Sequence, residues 1–96
     1  MSSRTPEECI ELALDESATE SEREDAIHEL EMANECDELD ALVRRESLSD
    51  GLRQRALQAL ATPQCDTMLR RLAGEESLEP SLRQEAESIL HERDDQ

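Results

Sequence analysis

Apolar residues recur along this chain in two alternating registers. One places Leu52, Ala56, Leu57, Ala59 and Leu60 on a single face at helical intervals, and it returns thirty residues earlier as Ala26, Ile27, Leu30 and Ala33 and thirty later as Leu82, Ala86, Ile89 and Leu90. The other is a shorter stripe of Cys9, Leu12 and Ala13 that returns as Leu39, Leu42 and Val43 and again as Leu69, Leu72 and Ala73. Cys65, Met68, Leu69 and Leu72 stand at offsets of 0, 3, 4 and 7, an amphipathic stripe in their own right. The pattern predicts six short helices of two alternating kinds, an all-α fold over residues 1–96 as a single domain.

Polar punctuation places the helix ends. Thr5-Pro6 with Glu8 predicts a capped start for the first helix, which runs to about Leu14. Ser21 with Glu24 is expected to cap the second, and Asn34 the third, which ends near Arg44-Arg45 where cations suit the negative helix end. The loop Glu46 to Ser49 leads into the fourth. Thr62-Pro63 is expected to restart the fifth as Thr5-Pro6 starts the first, with Gly74 ending it in a left-handed conformation. Pro80 opens the sixth, and the charged tail, 92–96 above all, is expected to fray. One or two residues between the second and third helices force an antiparallel hairpin.

The thirty-residue step also relates Arg23, Arg53 and Arg83, and the pairs Glu16-Ser17, Glu46-Ser47 and Glu76-Ser77. A period in this range is the signature of a stacked repeat array. The stretch Asp50-Gly51-Leu52-Arg53-Gln54-Arg55-Ala56-Leu57-Gln58-Ala59-Leu60 resembles a HEAT-like repeat of the short type found in phycobilisome-lyase-like proteins, whose motif is Asp-x-x-aliphatic-Arg-x-x-Ala-x-x-Ala-Leu. The first copy departs from it with Glu22 at the aliphatic position, and the third with Pro80-Ser81 in place of the acidic start. The resemblance implies an α-solenoid of about three antiparallel two-helix repeats whose odd-numbered helices line a concave, partner-binding face. It does not imply lyase activity, because such repeats are reused as scaffolds in many settings.

Composition changes this picture in two ways. The 96 residues hold 26 acidic and 10 basic side chains, all ten of them Arg, for a net charge of -16, with no aromatic residue. Such a balance resembles the acidic cytosolic proteins of salt-loving archaea, and it predicts folding that improves as salt screens self-repulsion. It also disfavours nucleic acid as a partner, since most of the surface repels phosphate and no aromatic side chain is present to stack on bases. Cys9, Cys36 and Cys65, an odd number without close spacing, predict free thiols in a reducing cytosol, with Cys9 filling the core. The absence of a spanning apolar run or a signal-peptide core predicts a cytoplasmic protein that does not enter a membrane.

Candidate chemistry is sparse. His28 and His91 occupy different repeat positions and read as surface residues; neither a phosphate-binding glycine loop nor a nucleophile with a paired base is present, so no cofactor, no metal and no enzymatic activity are expected. The charged groups left pointing away from the core on the third and fifth helices predict instead a protein-binding patch of Glu38, Arg45, Thr67, Arg70 and Arg71. The expected function is a scaffold for a protein partner. The alternatives are a homodimer or larger self-assembly through the solenoid ends, which lack polar capping repeats, and a non-catalytic subunit of an enzyme.

Overall fold

Thr5 and Thr19 start their helices by the same reciprocal device. The computed structural model describes residues 4–94. In it the Glu8 amide donates to the Thr5 hydroxyl at 3.2 Å and the Thr5 amide donates to the Glu8 carboxylate at 2.8 Å. Thr19 and Glu22 repeat the exchange at 3.1 and 2.9 Å. Two otherwise orphaned amides are satisfied each time. The cap of the second helix is therefore Thr19 with Glu22, two residues ahead of the expected Ser21 and Glu24.

The six helices are α1 (Pro6–Leu14), α2 (Glu20–Met32), α3 (Cys36–Val43), α4 (Asp50–Ala59), α5 (Asp66–Ala73) and α6 (Pro80–Asp94). Three further boundaries differ from expectation. Asn34 does not cap α3; it closes α2 at φ 56°, with its amide donating to the Glu31 carbonyl and the Glu35 amide to the Leu30 carbonyl, so the left-handed stop sits there. Gly74 ends α5 at φ -101°, outside the left-handed region. Thr62-Pro63 opens a 3-10 turn, Pro63–Cys65, and α5 begins only after it. α6 runs to Asp94, and of the charged tail 95 and 96 lie outside the described residues.

Packing pairs α1 with α2, α3 with α4, and α5 with α6; α2, α4 and α6 then contact one another in series, as do α1, α3 and α5. The core between the two rows holds Cys9, Ala13, Ala26, Ile27, Leu30, Leu39, Leu42, Val43 and the apolar face of α4, continued by Leu69, Leu72, Leu82 and Ala86. Alanine at positions 26 and 56 lets helices approach closely, which lets a core without aromatic side chains pack. Ala33, expected on the buried face of α2, is exposed beyond the helix end. Leu48 and Leu78 come from the loops and are buried, each held by a turn in which its amide donates to the carbonyl of Arg45 or Glu75 at 3.1 Å.

The periodic arginine acquires a physical meaning here. Arg23 Nε donates to the Ala13 carbonyl and Arg53 Nε to the Val43 carbonyl, both at 2.8 Å. α2 and α4 thus each supply a cation to the carbonyl-rich end of the odd helix before them, where backbone acceptors lack partners. Arg83 stands at the same position, but its buried Nε has no hydrogen-bond partner.

Cys36 and Cys65 form a disulfide, with Cα atoms 5.3 Å apart, which corrects the expectation of three free thiols. Their 29-residue separation looked unfavourable in sequence, yet it is nearly one repeat and places them side by side at the starts of α3 and α5. Cys9 is free and buried as expected, and burial, with the nearby Glu29 carboxylate adding to it, pushes its thiol pKa up. Among the described residues no helix is long and apolar enough to cross a membrane.

Candidate protein-docking face

The row α1, α3, α5 presents two side-by-side grooves built from equivalent positions. Between α3 and α5 those positions are Asp40, Arg44, Arg71, Leu72 and Glu75; between α1 and α3 they are Ile10, Leu14, Ala41, Leu42 and Arg45. In the first groove Arg44 bridges the helices, meeting Asp40 at 3.0 Å and Glu75 at 3.2 Å. The Glu75 carboxyl is held below its ordinary range by hydrogen bonds from Ser77, then from Arg44. Arg44 and Glu75 also border an opening of about 100 Å3 with Arg53, Ser77 and Glu79, and the groove is bridged by its own ions.

The groove between α1 and α3 is not. Ile10 replaces the aspartate and Leu14 the bridging arginine, while the small Ala41 stands at the position equivalent to Arg71. An apolar opening of about 120 Å3 remains, with Arg45 on its rim. Ile10 and Leu14 are half-buried, and Ala41 and Arg45 are exposed.

The five residues expected to form the patch lie on α3, just beyond its end, and on α5. Arg45, Thr67, Arg70 and Arg71 are all exposed on α5 or at the end of α3. Arg70 is already turned to Asp66, one helical turn back, at 3.2 Å. Glu38 is half-buried and hydrogen-bonds with Glu35, the first cause of the raised Glu35 pKa, ahead of desolvation; it belongs to the start of α3 and lies three to four residues from Ala41 and Leu42. Arg45 and Arg71 make no side-chain hydrogen bond or ion pair among the described residues. Sequence reasoning missed Ile10, Leu14 and Arg44. The signal was present in the thirty-residue alignment, where apolar side chains in the first repeat face charged ones in the second.

A larger cavity, about 490 Å3, opens where the start of α1 meets the end of α2, bordered by Pro6, Cys9, Leu30 and Met32, with Met32 64 % exposed. Of its polar lining, Arg4 pairs with Glu29 and His28 Nδ1 lies 3.4 Å from the Glu31 carboxylate, while Glu35 also borders it. Among the described residues no group of three or more His, Cys, Asp or Glu side chains is arranged to hold a metal ion. No protein-family model matches the chain, and no curated protein or solved structure does either.

Proposed function

We propose that this chain is a HEAT-like α-solenoid of three two-helix repeats acting as a protein-binding scaffold through the row α1, α3, α5. The observation that carries the reading is the state of Arg45 and Arg71. Arg4, Arg44, Arg53, Arg55 and Arg70 all pair with acids, while among the described residues these two exposed arginines on one row do not. An unpaired guanidinium beside an apolar groove suits short-range recognition, which survives where salt screens long-range steering. The serial packing within each row supports the solenoid reading, since repeat arrays join each unit to its neighbour alone. The working environment in this reading is a salt-rich cytoplasm. The disulfide removes the cysteine argument for that location, leaving the acidic surface as its support.

The test is affinity capture of the tagged protein in molar KCl, with the Arg45→Gln, Arg70→Gln, Arg71→Gln triple variant in parallel. A stoichiometric protein lost in the variant is the expected result. Capture that ignores the three substitutions would place any docking surface elsewhere.

A further inference from the structure

We infer that the α1–α3 groove takes an aliphatic side chain from a partner segment that also presents a carboxylate to Arg45. The inference rests on the docking reading above and specifies the chemistry of the partner.

The argument is the contrast between two grooves related by one repeat. In the α3–α5 groove a cation, Arg44, lies between acids on both sides, so its charge and shape are satisfied within the chain. In the α1–α3 groove the equivalents of Asp40 and Arg44 are Ile10 and Leu14, and the equivalent of Glu75 is Arg45. Two needs follow from that exchange. Half-exposed Ile10 and Leu14 gain from apolar cover, and Arg45 has no carboxylate among the described residues. A side chain seated over Ile10, Leu14 and Leu42 with an acid about one helical turn away meets both. A basic segment would meet the general acidity of the surface but would put like charges together at this groove. The opening of about 120 Å3 admits an aliphatic side chain and has no room for a folded cofactor.

The probe is an acetylated, amidated, alanine-rich helical peptide of about 14 residues carrying leucines at i and i+3 and a glutamate at i+4. It is titrated into the full-length protein in molar KCl and followed by amide and methyl NMR shifts. Shifts should centre on Ile10, Leu14, Ala41, Leu42 and Arg45. Glutamine for the peptide glutamate, or Arg45→Gln in the protein, should weaken binding about two- to fivefold. Alanine for both peptide leucines should weaken it about tenfold or more. The triple variant Ile10→Asp, Leu14→Arg, Arg45→Glu carries the side chains of the ion-bridged groove, so it should lose the peptide, with circular dichroism checking that it folds. If that variant fails to fold, the Arg45→Gln and peptide comparisons stand alone.

No binding at the peptide solubility limit, shifts centred elsewhere, or affinity indifferent to both acid and leucine would overturn the inference. The docking reading fails separately, when capture from lysate is unaffected by the arginine substitutions.

Discussion

Arg53 Nε donates to the Val43 carbonyl at 2.8 Å from a side chain only 2 % exposed, the one charged residue buried in the core among the described residues. The same guanidinium reaches the Glu79 carboxylate at the start of α6, so a single side chain joins the end of α3, the body of α4 and the entry to α6. Replacing it leaves a buried carbonyl unpaired and a void around the lost stem. We expect Arg53→Met to cost about 2–4 kcal/mol in urea unfolding. Arg23→Met, at the half-buried equivalent, should cost about 1 kcal/mol, and Arg83→Met, whose Nε has no partner to lose, should be close to neutral. Equal costs at the three positions would mean that the periodic arginine acts through general charge and not through the carbonyl.

The disulfide closes a long loop across the middle repeat, joining the starts of two helices in one row. By the chain-entropy argument a loop of this size is worth about 3–4 kcal/mol. Reduction, or the Cys36→Ser, Cys65→Ser pair, should therefore lower the melting temperature by about 10 °C or more. Oxidised protein unfolded without reductant should titrate a single thiol, that of Cys9. Three titratable thiols in that sample would contradict the pairing.

Acidification should act on Glu79 in a defined direction. The hydrogen bond from Arg53 lowers its pKa from the ordinary 4.5, so the native state binds fewer protons there than the unfolded chain. Its contribution is fully present above about pH 4.5 and is lost as pH falls through the lowered folded value. Glu35 behaves oppositely, because hydrogen bonding with Glu38 raises its pKa; its contribution is present below the ordinary value and fades as pH rises through the raised one. Urea midpoints from pH 6 down to about pH 3 in molar KCl should show a shallower acid-side loss in Glu79→Gln than in the parent. An unchanged profile would show that Glu79 titrates alike in both states.

Salt should raise stability throughout. A net charge of -16 on a chain with a radius of gyration of 12.9 Å keeps like charges within reach of one another until the Debye length shortens to about 3 Å near 1 M salt. Helical circular dichroism and melting temperature should both increase from dilute buffer to molar KCl. Identical melts in the two buffers would remove self-repulsion as a factor.

Much of the helix plan was legible because it depends on neighbours in the chain. Thr5, Pro6 and Glu8 lie within one turn, and the stripes of α4 and α5 can be read by counting. Errors arose where two local signals competed. Thr19-x-x-Glu22 and Ser21-x-x-Glu24 are both capping patterns, and Asn34 suits a helix start as well as a left-handed stop. The outward charges of the candidate patch were legible, but their partners were not. Whether an arginine is engaged depends on a carboxylate from another helix, as Arg44 shows with Glu75.

The sequence by itself determined the number of helices, their alternation and the thirty-residue equivalence of positions, since these follow from periodicity and capping over a few residues. Tertiary structure alone decided which equivalent positions meet. It brought Cys36 to Cys65, aimed Arg53 at Val43, bridged one groove with Arg44 and left its neighbour unbridged beside Arg45. These outcomes turn on distances of a few ångströms between segments far apart in the chain, and a side chain's identity does not specify its partner until packing has fixed that distance.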